Sequence, residues 1–421
     1  MTRNPAARIW VRTMLAFLLF GLARATSAEQ GLPGDSGCTY HSVTFSLIPR
    51  VSTTYGHSKP VTNLSINLLV GKHFALRGVE IGGITNVQES YARGLQVAGI
   101  VNVAGGNVRG IQSSGIVNVA GQTVRGIQGA GIVNIAGKNL IGTQASLIGC
   151  ITGNDVRGSQ TAGIFAIAGR SVEGFQGSYV IGISGAGTIG AQTSGIMSIS
   201  GGGVEGVQFA GIGSIAGGTV EGIQAAGIFA VAPQVRGAQF GMFTAADSVF
   251  GLQVGFVNRS KRPEGYPVGL INCVEGVPVK VGFVVDESAG SYVELTTGSL
   301  HTHGIVALGG RILAAPQTQA VGLGVGLHFQ KTRHYCDIDA ITYGNFAADS
   351  GGEGAVLALR FILGIPVNRH LDLFAGGRVS LFVSDTGTGA ALAPWSLYKG
   401  TVRGRYVRVW PGLTGGVRVS L

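Results

Sequence analysis

A short, regular repeat constrains this chain more than any other feature. Between residues 78 and 265 the segment Gly-x-Gln, a short gap, Gly-Ile-x-Asn or a small residue, and Ala-Gly recurs thirteen times. The first ten copies begin sixteen residues apart, and the last three follow at gaps of fifteen, fourteen and fourteen residues. Because so short a unit can bury its apolar residues only against the next copy, the array is predicted to fold as one stack.

One copy, Val108 to Thr123 (VRGIQSSGIVNVAGQT), divides into a strand VRGIQ, a corner SSG, a strand IVNVA and a corner GQT. The later, shorter copies lose one residue after Gln and one after Ala. A deletion inside a strand would turn every later side chain to the other face, so the losses mark corners. Each unit is therefore predicted to be two short strands and two turns of a Gly-rich β-solenoid over residues 76–275.

Several columns of the repeat are uniform in chemistry. The β-branched columns fit stacked strands, and the Gln column, from Gln96 to Gln253, can form a ladder of amide hydrogen bonds. The alternative is that the Gln side chains of this column form a row that binds a ligand. Glycine and alanine are expected inside the coil, where they would let its two walls approach.

One column is charged and changes sign along the array. Stacked like charges repel, so we expect a solvated edge; the alternative is a polar ridge that docks a partner. Its charged members are Arg93, Arg109, Arg125, Arg157, Glu173, Glu205, Glu221 and Arg236.

The C-terminal flank alternates strictly between apolar and small or polar residues. Val321–Gln330 places Val, Leu and Phe on one face and Gly and His328 on the other, and Leu371–Val383 does the same. Segments of this length and period are typical of membrane β-strands. We predict an antiparallel β-barrel-like domain over residues 276–421, which strands from residues 29–75 could complete. Four aromatic residues near strand ends favour a barrel in the outer membrane: Phe329, Tyr343, Phe382 and Trp410.

The first 28 residues resemble a secretory signal, with basic Arg3, Arg8 and Arg12 before the apolar run Met14–Ala23. The alternative is an uncleaved membrane anchor. The four cysteines, Cys38, Cys150, Cys273 and Cys336, lack Cys-x-x-Cys spacing, so they do not indicate a zinc site. Cys150 and Cys273 occupy repeat positions and are expected to be buried free thiols. The net charge of +10 comes from dispersed basic residues without interleaved aromatics, so we expect no nucleic-acid partner.

The stretch from Leu76 to Asn272 resembles the Gly-x-Gln/Gly-Ile-x-Asn surface-repeat proteins of Gram-negative bacteria. The segments Leu371–Ser384 and Arg408–Leu421 resemble terminal strands of outer-membrane barrel proteins. The resemblance implies an exported protein of the outer membrane or cell surface, with outer-membrane lipids around the barrel. It implies no particular activity.

The sequence shows no catalytic cluster, so we expect a non-enzymatic protein with no catalytic, cofactor-binding or metal-binding residues and no cofactor. Three candidates were weighed: the Glu173, Glu205 and Glu221 column as glycosidase carboxylates, the pair His301 and His303 as metal ligands, and Cys336-Asp337 with Asp339, for which a polar strand face is the expectation.

The function predicted from the sequence is structural or interaction-based: display of a rigid repeat surface at the outer membrane, toward an unknown protein or glycan partner. The alternative is an outer-membrane pore or transporter in which the repeats themselves form barrel strands. The two differ in whether the repeat strands stack in parallel coils or stand side by side as staves.

Overall fold

The structure is a computed structural model, which describes residues 37–421 except 263, 312–317, 332, 348–353 and 386–394. The signal predicted for residues 1–28 lies outside the described residues. Within them every helix or strand element is a β-strand, arranged as a β-solenoid of about 13 turns and a closed antiparallel barrel. None of the described residues forms a helix long and apolar enough to cross a bilayer. The chain divides into two compact units, Met1–Gly227 and Ile228–Leu421.

The first unit consists of solenoid coils, each built from a longer and a shorter strand. Apart from the two-residue strand Val51–Ser52, which pairs antiparallel with Thr39–Ile48, each strand pairs in parallel with its counterpart one coil later, as Val124–Ala130 does with Leu140–Ser146. The strands are β1 (Thr39–Ile48), β2 (Val51–Ser52), β3 (Pro60–Asn67), β4 (Val70–His73), β5 (Ala75–Gly82), β6 (Thr85–Gln88), β7 (Ala92–Ala98), β8 (Val101–Ala104), β9 (Val108–Ser114), β10 (Val117–Ala120), β11 (Val124–Ala130), β12 (Val133–Ala136), β13 (Leu140–Ser146), β14 (Gly149–Thr152), β15 (Val156–Ala162), β16 (Phe165–Ala168), β17 (Ser171–Ser178), β18 (Ile181–Ser184), β19 (Gly187–Ser194), β20 (Met197–Ser200), β21 (Val204–Ala210), β22 (Gly213–Ala216) and β23 (Thr219–Ala226).

The prediction of two strands and two corners per unit is confirmed, with one corner displaced. In the copy that begins at Val108, the first strand runs through Ser114, and Gly115 and Ile116 form the corner. The sequence had placed the corner at the two serines and Ile116 in the next strand. The short strand β10 then covers only Val117–Ala120, so the isoleucine column lies at the corner and is partly exposed.

Strands before the first repeat also belong to the solenoid. β1 pairs in parallel with β3, and β3 pairs in parallel with β5. Residues 29–75, which the sequence left as candidates to complete the barrel, therefore contribute coils where they are described. The reason is that β1 and β3 continue the parallel ladder of the repeats, whereas the barrel sheet closes on itself through β29 and β37.

Backbone geometry requires the glycines of Gly-x-Gln. The sequence had instead predicted that glycine lies inside the coil and lets its walls approach, which is wrong for these residues. In the first unit the glycine of Gly-x-Gln has φ between +116° at Gly94 and +141° at Gly78. A Cβ on Gly126 would lie 2.0 Å from the carbonyl oxygen of Gly110 in the preceding coil. Both facts favour glycine, because L side chains rarely adopt this φ and a Cβ would push the coils apart. The interior is filled by Val, Ala and amide side chains instead.

Alanine substitutions at Gly126 and at Gly129, which lie on the same strand, test whether backbone geometry requires the repeat glycine. Gly126→Ala should destabilise the solenoid by about 2 kcal/mol or more, because it combines strained φ with a clash against backbone. Gly129→Ala should be near neutral, since its Cβ would meet nothing within 4 Å. Urea unfolding followed by far-UV circular dichroism measures both, and equal losses in the two variants would contradict this account.

The second unit begins with the last coils, whose strands again pair in parallel, and continues into the barrel. The coil strands are β24 (Phe229–Phe240), β25 (Phe243–Val254), β26 (Val257–Ser260), β27 (Tyr266–Val268) and β28 (Ile271–Val274). The barrel-sheet strands are β29 (Lys280–Asp286), β30 (Ser291–Gly298), β31 (Thr302–Arg311), β32 (Thr318–Lys331), β33 (His334–Ala347), β34 (Gly354–Pro366), β35 (Leu371–Ser384), β36 (Tyr398–Val402) and β37 (Arg405–Ser420).

The barrel closes with eight antiparallel strands. Its order is β29, β30, β31, β32, β33, β34, β35 and β37, and β29 pairs with β37 to complete the ring. β36 is an additional strand that extends β37 as a hairpin. Solenoid strands take no part in this sheet, so the alternative in which the repeats are barrel staves is wrong: staves would pair antiparallel, whereas the repeats pair in parallel.

Candidate functional site

The amides of the repeat form two buried ladders inside the first unit. In the Gln ladder, Gln112 Nε2 donates to Gln96 Oε1 of the preceding coil at 2.9 Å. In the Asn ladder the direction is reversed, since Asn102 Nδ2 donates to Asn118 Oδ1 of the following coil at 3.0 Å. The glutamines are at most 1% exposed, so the alternative in which they read a ligand is wrong and they are part of the core.

Where the repeat loses its asparagines, smaller groups keep one of their hydrogen bonds. Asn118 Nδ2 donates to the carbonyl oxygen of Gly129, eleven residues on, at 2.6 Å. At the same position of later coils, Ser198 Oγ donates to the Phe209 oxygen at 2.7 Å and Ser214 Oγ to the Ala225 oxygen at 2.8 Å. The change from Asn to Ser therefore preserves a bond to buried backbone, and it does not indicate a separate binding role.

Glu80 ends the Gln ladder. It stands in the Gln column of the first repeat, fully buried, and accepts from Gln96 Nε2 at 3.0 Å, Gln88 Nε2 at 2.7 Å and Asn67 Nδ2 at 2.8 Å. Every glutamine of the ladder points its NH₂ toward this end. A carboxyl group, which can accept more bonds than a second amide, satisfies the donors that converge there.

Burial sets the protonation of this cluster. Burial raises the pKa of Glu80 to about 7, against the opposing hydrogen bonds from Gln96, Gln88 and Asn67. His73 Nε2 lies 3.8 Å from Glu80 Oε1, and burial, together with the charge of His41, lowers the pKa of His73 to about 4. Near neutral pH the histidine is therefore neutral and the carboxyl is close to its midpoint.

These two shifts oppose each other in the pH dependence of stability. The raised pKa of Glu80 contributes stability at low pH that is lost as pH rises from about 4.5 through about 7. The lowered pKa of His73 contributes stability above pH 6.5 that is lost as pH falls toward about 4. In Glu80→Gln only the histidine contribution remains, so solenoid stability should rise more steeply between pH 4.5 and 6.5 than in the wild type.

Urea midpoints measured across that range test the prediction. Glu89→Gln is the matched control, because Glu89 is half exposed and its carboxylate pairs with Lys72 at the surface. It should leave the pH profile unchanged. An unaltered slope in Glu80→Gln would show that the buried carboxyl does not titrate in this range.

The barrel interior is filled by an ion network. Arg360 bridges two strands through Glu294 Oε1 at 2.6 Å and Asp339 Oδ2 at 2.9 Å, and all three side chains are at most 1% exposed. Arg418 bonds Asp337 Oδ2 at 2.6 Å. Near the C-terminal end of β29, Arg378 pairs with Asp286, and Trp410 Nε1 donates to Glu287 Oε1 at 2.7 Å. An eight-stranded barrel has room for side chains and little more, and here they occupy the lumen.

The interior glycines of β32 make room for this packing. A Cβ on Gly322 would meet the ring of Tyr343, and one on Gly324 would meet Ile341. The alternation predicted for Val321–Gln330 is confirmed, with Val321 and Leu327 exposed on the outer face. Among the four aromatics expected near strand ends, only Phe329 faces outward; Tyr343, Phe382 and Trp410 are buried in the lumen, where large rings fill space beside the glycines.

One group of metal-ligand types lies inside the network. Ligand atoms of His303, Asp337 and Asp339 lie within 4.8 Å of one another. His303 Nε2 is 2.8 Å from Asp339 Oδ1, and the arginines already donate to both carboxylates. His301, which the sequence paired with His303, is exposed in the turn before β31. The arrangement is thus that of an ion-pair network, in which Arg360 and Arg418 each pair with one of the two carboxylates.

The other sequence candidates lie apart. Glu205 and Glu221 are in register on adjacent coils and exposed, while Glu173, two coils from Glu205, pairs with Arg157 at 3.1 Å. Cys336 is partly exposed on β33, on the face opposite to Asp337. Cys150 is buried as expected, but Cys273 is exposed, because its position in β28 points outward, in register with Arg259 of the preceding coil.

The outer face of the barrel is an apolar band. Along β34, Leu357, Leu359, Phe361, Leu363 and Ile365 are all more than 40% exposed. The same face continues on the neighbouring strands through Phe283, Val285, Val293, Leu308, Val321, Leu323, Leu327, Phe329, Leu373, Val379, Leu413 and Val419. The polarity of a water-soluble protein is thus inverted, with charges inside and aliphatic side chains outside.

The two ends of the barrel differ. At one end the turns are three, two and four residues long, after β30, β32 and β34. At the other end the connection after β29 has four residues, those after β31 and β33 have six each, and twenty residues including β36 separate β35 from β37. The last coil lies against the short-turn end. There Thr302 Oγ1 donates to the backbone oxygen of Pro267 at 2.6 Å, and Thr297 Oγ1 accepts from the backbone N–H of Asn272 at 2.9 Å.

No protein-family model, curated protein or solved structure matches this chain.

Proposed function

We propose that this chain is a non-enzymatic protein of the Gram-negative outer membrane, anchored by its barrel, whose solenoid has a structural or interaction role. The observation that supports this most strongly is the inverted barrel: a closed ring of eight strands with an apolar outside and a charged inside. In water the exposed aliphatic band would be strongly unfavourable, whereas in a bilayer it faces hydrocarbon. Closure matters equally, because it leaves no unpaired strand edge in the lipid.

Aromatic residues add support at the short-turn end. The coils of the second unit expose Phe240, Phe243, Phe250, Phe256 and Tyr266, each at least 36% exposed. Aromatic side chains are enriched where a membrane barrel meets the polar surface of the bilayer. Their concentration in the coils beside the barrel is consistent with that position.

The stability cost of a charged residue on the outer face of the barrel tests whether lipid surrounds that face. Leu359→Arg, in the middle of β34, should destabilise the barrel folded into phospholipid bilayers by about 2–4 kcal/mol, because the guanidinium enters hydrocarbon. The control Val367→Arg changes an exposed residue in the turn after β34 and should cost about 1 kcal/mol or less. Urea titration of bilayer-folded protein measures both, and equal costs would argue against a lipid-facing band.

The orientation we propose differs from surface display. Outer-membrane barrels have short periplasmic turns and longer extracellular loops. In this barrel the chain enters at Lys280 and leaves at Ser420 at the short-turn end. We therefore propose that the residues before the barrel, the solenoid included, lie on the periplasmic side, and that the β36–β37 hairpin faces the outside of the cell.

Epitope tags at two corners test this orientation. A tag between Arg403 and Gly404, at the exposed tip of the β36–β37 hairpin, should be labelled by antibody on intact cells. A tag between Gly217 and Gly218, in a solenoid corner, should be labelled only after the outer membrane is permeabilised. Labelling of the corner tag on intact cells would instead support display of the solenoid at the surface.

The pore alternative has less support. Its structural premise was that the repeat strands enlarge the barrel, and they form coils instead. The lumen that remains is crossed by Arg360 and Arg418 with their carboxylate partners. An interior filled in this way favours an anchor over a conduit.

A further inference from the structure

The charged column of the first unit is complementary to itself when reversed. Over eight consecutive coils it holds, in register, two arginines, an isoleucine, an arginine, a glutamate, an isoleucine and two glutamates. When the column is aligned with its own reverse, every arginine lies opposite a glutamate and the two isoleucines lie opposite each other. The members in chain order are Arg109, Arg125, Ile141, Arg157, Glu173, Ile189, Glu205 and Glu221.

A two-fold axis produces this matching between two copies. The axis would lie in the interface, parallel to the strands, between the coils of Arg157 and Glu173. Rotation about it reverses the order of the coils and keeps each column opposite itself, as in an isologous dimer. Arg125 of one copy then faces Glu205 of the other, and the reciprocal pair forms on the far side of the axis.

The residues two positions after the charged column also point out of the coil, and they follow the same symmetry. Ile111 would face Ile223, and Ile127 would face Val207, so the larger aliphatic side chains meet each other at both ends. All four are exposed. Further in, Thr143 would face Ala191, and beside the axis the ring of Phe175, which is 38% exposed, would face the small Ser159.

The residues four positions after the charged column add shape complementarity. Phe209 is 52% exposed, the most exposed phenylalanine of these eight coils. The residue opposite it under the same rotation is Gly129, above which a Cβ would find nothing within 4 Å. A large apolar ring on one copy therefore faces an open position on the other, at the coils where Glu205 faces Arg125.

Three members of the column, Arg109, Arg125 and Glu205, have no ion pair within the described residues. Arg109 and Arg125 are stacked on adjacent strands, about 4.8 Å apart. Stacked like charges destabilise a sheet unless something offsets them. Arg157 and Glu173 at the axis, in contrast, pair with each other. A second copy would supply the missing opposite charges.

The face is large enough for a stable dimer. Eight coils at about 4.8 Å by seven residues at about 3.3 Å give roughly 40 by 20 Å, or about 800 Å² per copy. Standard protein interfaces bury about the same area on each partner. In the sequence the next members of the column on either side, Arg93 and Arg236, are both positive, so the complementary stretch ends with these eight coils.

We propose that this face, made by the longer strands from β9 to β23, is the interface of an antiparallel homodimer. A second copy of the chain is thus the partner of the solenoid. The inference rests on the solenoid alone, so it stands whether or not the barrel lies in the outer membrane.

Charge reversal in full-length protein tests the dimer. In detergent micelles, sedimentation velocity should show a monomer–dimer equilibrium for the wild type. Arg125→Glu and Glu205→Arg should each raise the dissociation constant at least about tenfold, because each places like charges opposite one another twice per dimer. The combined variant, Arg125→Glu with Glu205→Arg, should return it to within a few-fold of wild type.

The matched control is Arg259→Glu, the same change at an exposed position on a short strand, β26, outside the face. It should leave the equilibrium unaltered. Unchanged circular dichroism and thermal midpoints establish that each variant folds, as is expected for exposed side chains. A monomeric wild type, a dimer insensitive to both single reversals, or a combined variant as weak as the single ones would each overturn the proposal.

Discussion

In-register stacking of one coil on the next is the interaction on which the solenoid depends. Each strand donates to and accepts from the coil beside it, and the repeat glycine lets two coils approach to the distance that these bonds require. Once the register is fixed, each side chain lies beside the residue at the equivalent position of the next coil. Ladders of buried amides, columns of aliphatic side chains and rows of like charge all follow from that one constraint, which explains why a sixteen-residue period recurs with so little variation.

Both parts of the protein bury polar groups, and they satisfy them differently. In the solenoid, neutral amides bond to each other and to backbone along the coil axis, and Glu80 receives the donors at the end of the ladder. In the barrel, formal charges neutralise one another across the lumen, as Arg360 does with Glu294 and Asp339. Removing a single member from either arrangement would leave a buried group without its partner, which costs more than the bond itself contributes.

Much of the fold followed from particular residues. The repeat with two corners per unit and the alternation around Leu323 were readable, because periods of sixteen and of two leave direct traces in the chain. The positions of Trp410 and Tyr343 were not, since an aromatic residue near a strand end is compatible with either face. The cluster around Glu80 was also missed. Its only trace was an acid in a column of glutamines, and His73 and Asn67 join it from outside the repeat.

By itself the sequence determined the all-β class, the coil period and the apolar face of the barrel strands, because each is a local pattern of spacing. Tertiary structure alone decided that the barrel closes with eight strands, that its lumen is filled with ion pairs, and that the last coil of the second unit adjoins the short-turn end. Those features depend on which distant strands meet, as Lys280 meets Ser420 across the closure, and such pairings leave no periodic signal in the chain.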